Sequence, residues 1–157
     1  MKNELEILIE SLQKKICLLN EILMNSKKQL AMTELEKFDL EEFDESVNKK
    51  TDLIKKMDQN DQGFDVVFDR VKTELIDNQN EYLVEIAQMQ DLIRKILDIG
   101  SEIHVVEKQS REGLERYFKE NKSKLQKGRR DGNAVLNYYK QVNQTDYVAP
   151  MFMDQKK

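Results

Sequence analysis

The fold of this chain is decided by residues 5–23, which read LEILIESLQKKICLLNEIL. Large apolar residues recur there in alternating steps of four and three: Leu5, Ile9, Leu12, Ile16, Leu19 and Leu23. Ser26 and Leu30 continue the same register beyond this stretch. A heptad pattern of this kind predicts a helix that buries one stripe against neighbouring helices. We predict this first helix over residues 2–37, with a length of about 50 Å at 1.5 Å per residue.

Two further helices are predicted downstream. Asp39, with Glu42 three positions later, has the pattern of an N-cap and capping box. The second helix is then predicted to run for about twenty residues and to end in the turn-forming stretch 58–63. The third segment is predicted either as one helix over residues 64–127 or as two helices in series with a break near Asp77. We favour the single helix, because neither Gly nor Pro interrupts the polar stretch 77–80.

The overall composition favours helices over strands. The chain has 157 residues with only five Gly and one Pro, whereas sandwiches and barrels need frequent turns. We therefore predict an all-α fold, an elongated antiparallel bundle or coiled coil of three to four long helices. Residues 1–130 are assigned to the bundle, and residues 131–157 to a short amphipathic helix and a mobile C-terminal tail.

The residues that usually carry chemistry are scarce. His104 and Cys17 are the single histidine and cysteine, too few for a four-ligand zinc site or a di-iron bundle. The glycines lack the spacing of a phosphate-binding loop. We predict no enzymatic activity, no cofactor and no metal. Cys17 is expected as a buried or half-buried apolar residue. His104, with Glu107 three residues on and Lys108 four on, is expected as a partly exposed flank residue in a helical ion pair.

The predicted location is the cytoplasm. No apolar run approaches the roughly 18 residues that a membrane span needs, so no membrane insertion is expected. The N-terminal stretch 1–6, MKNELE, carries acidic residues unlike a signal peptide. A single cysteine also fits a reducing compartment.

Charge is unevenly distributed along the chain. Residues 108–130 contain nine Lys/Arg and three Glu, whereas residues 33–69 contain twelve acidic residues and five Lys. We interpret this as electrostatic attraction between the basic and the acidic stretch, either within the bundle or across a homodimer. The oligomeric state stays open. A nucleic-acid partner is not predicted, because the whole chain is acidic, with a net charge of −4, and shows no base-reading fold.

The C-terminal segment combines polar residues with large apolar ones, which is unusual for a solvated terminus. Such a segment is typical of one that folds on docking, either onto a partner or back onto its own bundle. The candidate partner-binding residues are Val135, Leu136, Tyr138, Tyr139, Val142, Tyr147, Met151, Phe152 and Met153.

The pattern as a whole resembles the FlgN-type flagellar export chaperones, small helical proteins of the flagellar type III secretion system. The heptads from Leu5 to Leu23 resemble the family's first helix, and residues 48–54, NKKTDLI, resemble its second-helix pattern. A long helix then leads to a short segment containing Asn137-Tyr138-Tyr139. The ending 152–157, FMDQKK, resembles those of clostridial members.

The resemblance implies binding without chemistry. The expected function is to hold hook–filament junction (hook-associated) proteins unassembled in the cytoplasm and to deliver them to the export apparatus. Two alternatives remain from the sequence. One is a FliT-type chaperone for the filament cap, and the other is a structural coiled-coil protein that self-associates without a client.

Overall fold

The computed structural model describes residues 1–35 and 37–121, which form three long helices. These are α1 (Lys2–Thr33), α2 (Leu40–Asp77) and α3 (Leu83–Glu120), with a short 3-10 helix, Gln79–Tyr82, before α3. No β-strand occurs in this described part, so the prediction of an all-α fold is confirmed. The predicted C-terminal segment 131–157 lies outside the described residues.

The helices divide between two compact units. Unit 1 comprises residues 1–20 and 54–100. Unit 2 comprises residues 21–53 and, within the described chain, residues 101–121. Each unit is considered by itself below.

The buried stripe of α1 differs from the predicted row. It runs through Leu5, Leu8, Leu12, Lys15, Leu19, Ile22, Ser26 and Gln29. Of the predicted row, Leu5, Leu12, Leu19, Leu23 and Ser26 are buried, whereas Ile9, Ile16 and Leu30 are half-buried. Both rows obey a heptad spacing, but the observed stripe includes polar residues that hydrophobic periodicity counts as interruptions. Lys15, Ser26 and Gln29 can be buried because each side chain forms a hydrogen bond to a residue of another helix.

The end of α1 comes earlier than predicted, at Thr33. The Thr33 hydroxyl donates to the carbonyl of Leu30 at 2.7 Å. The next two amides, of Glu34 and Leu35, bond three residues back instead of four. This tightening into a 3-10 turn is a common way for a helix to satisfy its last carbonyls.

The predicted turn at 58–63 is wrong, because α2 continues through it. Met57 and Phe64, seven residues apart, are both buried, so the apolar stripe crosses Gly63 without a change of phase. The polar residues between them form tertiary bonds: Asn60 Nδ2 donates to the Ser11 carbonyl at 2.9 Å, and Asp61 pairs with Lys15. A stretch that looks like a turn in sequence is therefore one wall of a helix interface.

The chain instead reverses after Asp77, so the single helix predicted over 64–127 is also wrong. Asn78 leaves the helical region, with a ψ of 41°. Tyr82 then donates from its hydroxyl to Glu74 at 3.0 Å, across the connection. Asn and Asp at 77–80 have low helix propensity, and packing rather than a Gly or Pro selects this point for the reversal.

The core of unit 1 is built from all three helices. Phe64 packs against Phe68 with ring centroids 5.9 Å apart. The buried apolar residues of this unit are Leu5, Leu8, Leu12, Leu18, Leu19, Met57, Phe64, Val71, Leu75, Met89, Ile93 and Ile96.

Unit 2 begins α2 with the predicted N-cap, which the structure confirms. Asp39 Oδ1 accepts from the amides of Glu41 and Glu42 at 3.0 and 3.2 Å. The neighbouring Phe38 packs against Tyr117 of α3 with ring centroids 4.5 Å apart. The cluster that closes this end of the unit comprises Phe43, Val47 and Leu114, with Met32, Phe38, Leu40 and Phe118 around them.

Contacts within unit 2 establish the directions of its helices. Lys50 of α2 meets Glu107, whereas Phe43, nearer the start of α2, clusters with Leu114. Thus α2 and α3 are antiparallel. Thr33 lies against Gly113 as Ser26 lies against Glu107, so α1 and α3 run parallel.

Two glycines in helices should respond oppositely to alanine. A Cβ at Gly63 would meet no described atom within 4 Å, so Gly63→Ala should stabilise by roughly 0.5–1 kcal/mol through helix propensity. A Cβ at Gly113 would lie 2.5 Å from Thr33 Oγ1, so Gly113→Ala should destabilise by about 1–3 kcal/mol. Urea unfolding followed by circular dichroism measures both.

A control separates the clash at Gly113 from other causes. Thr33→Ala removes the nearest atom and should recover part of the loss when combined with Gly113→Ala. Equal stability of the Gly63→Ala and Gly113→Ala proteins would contradict the close approach.

Candidate functional site

A cluster of polar side chains, all buried except the half-buried Ser46, crosses unit 2. We call it the polar layer and define it as Ser26 and Gln29 of α1, Ser46 and Lys50 of α2, and Glu107 and Ser110 of α3. Lys50 is 0% exposed, and Glu107 is buried with it. The layer therefore places a charged pair inside a helical core.

Lys50 is held by acceptors from the two other helices. Its Nζ donates to Gln29 Oε1 and to Glu107 Oε1. Ser26 Oγ also donates to Glu107 Oε1, at 2.8 Å, and Gln29 Nε2 donates to Ser46 Oγ at 2.9 Å. One hydrogen-bonded network thus joins α1, α2 and α3.

Burial controls the electrostatics of this network. Desolvation lowers the pKa of Lys50, and attraction to the Glu107 carboxylate only partly opposes that shift. A buried ion pair adds little net stability, but removing one partner strands a charge in the core. Since the Lys50–Glu107 pair is buried, we infer that the polar layer sets the register of the three helices and does not bind a substrate.

Neither a metal centre nor a membrane span emerges from this part of the molecule. Within residues 1–35 and 37–121, no three His, Cys, Asp or Glu side chains are placed to hold a metal ion. None of the described helices combines the length and apolar character that crossing a bilayer requires.

An open groove lies between α1 and α2 on the surface of unit 2. This unit 2 groove has a volume of about 700 Å³. Its lining residues follow helical spacing on both sides: Glu21, Met24, Asn25, Lys28 and Met32 on α1, and Glu42, Glu45, Ser46 and Lys49 on α2. Surfaces with this spacing are the ones that accept a partner helix.

A second groove between the same two helices lies in unit 1. This unit 1 groove has a volume of about 570 Å³ and is lined by Ile7, Glu10, Ser11, Lys14, Lys56, Gln59, Asn60, Gly63, Phe64 and Val67. Ser11 and Asn60 bridge the two helices through paired hydrogen bonds of 3.3 and 2.9 Å. Nearby, burial raises the pKa of Asp61, with its partner Lys15 opposing the shift.

The residues that sequence analysis singled out are placed as follows. The nine candidate partner-binding residues of the C-terminal segment lie outside the described residues. Cys17 is exposed, contrary to expectation, because it falls beside the buried stripe of α1. His104 is exposed, and Glu107 serves the interior pair with Lys50 rather than a surface pair with His104.

Sequence reasoning missed the polar layer and the positions of the two grooves. The one available signal for the unit 2 groove was Met24, a large apolar residue off the predicted heptad row and 62% exposed in the structure. For the polar layer there was no such signal, because Lys50 and Glu107 are ordinary surface residue types in a helix.

Comparison of the chain with protein-family models, curated proteins and solved structures gave no match.

The polar layer predicts a strong coupling between Lys50 and Glu107. Lys50→Met and Glu107→Leu should each destabilise the protein by about 3–5 kcal/mol, because each leaves the other charge buried. The double variant should lose much less than the sum of the single losses. Urea unfolding of the four proteins gives the coupling energy, and additive losses would contradict a direct pair.

The lowered pKa of Lys50 predicts a pH dependence of stability. The unfolded chain holds this proton up to the ordinary lysine pKa of 10.5, whereas the folded chain releases it at a lower pH. The free energy of unfolding should therefore increase with pH between these two values. The measurement is the free energy of unfolding of the wild-type protein minus that of the Lys50→Met/Glu107→Leu protein, as a function of pH. A difference that stays constant up to pH 10.5 would contradict the prediction.

Proposed function

We propose that this protein is a cytoplasmic export chaperone of the FlgN type that binds hook-associated flagellar proteins and prevents their premature assembly. Support begins with the sequence resemblance, which covers the heptads of the first helix, residues 48–54 and the tyrosine-containing segment. The proposal requires binding surfaces and no chemistry.

The structural observation that carries the proposal is the pair of grooves between α1 and α2, one in each unit. Clients that form filaments use amphipathic terminal helices, and a chaperone must cover such helices reversibly. Grooves lined by two helices at helical spacing meet that requirement. They are also open and partly polar, which suits a client that must be released for export.

The C-terminal segment is the second part of the proposal. Its tyrosines and its Met-Phe-Met sequence at 151–153 supply large apolar contacts, and methionine adapts to several partners. We assign it to contact with the client or with the export apparatus.

The alternatives receive less support. A self-associating coiled coil would use the predicted seam, yet Leu5, Leu12 and Leu19 are buried within unit 1. The FliT-type alternative differs from the proposal only in the client, so binding to the filament-cap protein in place of hook-associated proteins would favour it.

The test changes the C-terminal segment in the full-length chain. Tyr138→Ser/Tyr139→Ser/Val142→Ser should weaken binding to a hook-associated protein at least tenfold, because aromatic anchors dominate many interfaces. Isothermal titration calorimetry measures the affinity, and circular dichroism checks that the helices persist.

A matched control changes only polar residues of the same segment. Lys140→Ser/Gln141→Ser/Gln144→Ser should leave the affinity within twofold. Unchanged binding by the apolar variant would remove the segment from the proposal, and no binding by the wild-type chain would contradict the proposed function.

A further inference from the structure

We propose that the unit 2 groove binds an amphipathic, basic helix of about three turns from a partner protein. Apolar side chains of that helix would cover Met24 and Met32, and its Lys or Arg side chains would face the acidic rim of the groove. This rests on the proposed function, which assigns helix binding to both grooves, and it deepens it by naming the charge and length of the helix that the unit 2 groove takes.

The dimensions of the groove favour a helical occupant. Its α1 wall extends from Glu21 to Met32, twelve residues that span about 16 Å, or three turns. The α2 wall opposite extends from Glu42 to Lys49. Within unit 2, Ser26 of α1 already contacts α3, so a helix in the groove would complete a four-helix arrangement around the α1–α2 pair.

Two methionines supply the apolar contacts of the groove. Met24 is 62% exposed, and Met32 is half-buried beside the cluster that closes the unit. Methionine is flexible and polarizable, so such a surface fits apolar side chains of different shapes. The groove is therefore suited to an amphipathic helix with a variable apolar face.

Charge selects a basic partner over an acidic one. Three glutamates line the groove, Glu21, Glu42 and Glu45, against two lysines. In the sequence around the α2 wall, residues 34–53, eight acidic residues stand against three lysines. Of those three lysines, Lys50 is buried against Glu107 and does not reach the groove.

An incompletely bonded side chain on the groove wall supplies a separate argument. Asn25 is 7% exposed, and its Nδ2 donates to the Ser46 carbonyl at 3.2 Å. Its Oδ1 is buried and has no hydrogen-bond partner among the described residues. Leaving such an acceptor unsatisfied costs free energy, and a rotation of the Asn25 side chain toward the groove would let a Lys, Arg, Asn or Gln on a docked helix satisfy it.

The test uses the full-length protein and a synthetic probe. The probe is a fluorescein-labelled 18-residue peptide of Leu and Lys in a helical i, i+3, i+4 pattern, and fluorescence anisotropy measures its affinity. Glu42→Lys/Glu45→Lys should weaken binding at least tenfold, and so should Met24→Asp. A Leu/Glu peptide of the same pattern should not bind.

Matched controls exist for both changes. Glu41 shares the first turn of α2 with Glu42 but does not line the groove, so Glu41→Lys should keep the affinity within threefold. Leu35 is 62% exposed, as Met24 is, and lies outside the groove, so Leu35→Asp should also keep it. Circular dichroism of each variant confirms that the helices persist.

Several outcomes would overturn the proposal. Equal losses in groove and control variants would indicate nonspecific attraction to an acidic protein. A tenfold gain in peptide affinity on Tyr139→Asp would show that the chain's own C-terminal segment occupies the groove. Loss of a dimer in sedimentation velocity on Met24→Asp would show that a second copy does. None of these results depends on hook-associated proteins, so they leave the proposed function to its own test.

Discussion

A lysine ammonium enclosed in a helical core must be matched by acceptors, and in unit 2 this requirement constrains the packing of all three helices. Lys50 of α2 reaches Glu107 of α3 and Gln29 of α1, and Ser26 of α1 donates to the same carboxylate. A one-residue slip of any helix would separate a partner from the pair and leave a charge without solvation. The ion pair thus selects one helix register, which apolar packing alone specifies more loosely.

This register also decides which residues remain for binding. Ser26 and Gln29 turn inward to the polar layer, and their neighbours line the unit 2 groove: Met24 and Lys28 are exposed there, and Asn25 is nearly buried in its wall. The core and the candidate binding surface are two faces of one arrangement. A partner helix would therefore meet a surface whose side chains are held in place by the layer behind it.

The sequence predicted the elements better than their connections. The heptads and the capping residue Asp39 are local signals, and both the all-α fold and the N-cap are present. The reversal was misplaced because Asn60 and Asp61 look like turn residues until their partners on α1 are known. Nothing local distinguishes them from the residues at 77–80, where the chain does reverse.

By itself, the sequence determined that the chain is helical, where α2 begins and that histidine and cysteine occur once each, because these depend on propensity, capping and composition. Only the tertiary structure decided that Lys50 and Glu107 are interior and that Met24 faces a groove. The physical reason is that burial of a charge depends on a partner fifty-seven residues away, and periodicity along one helix carries no information about that partner.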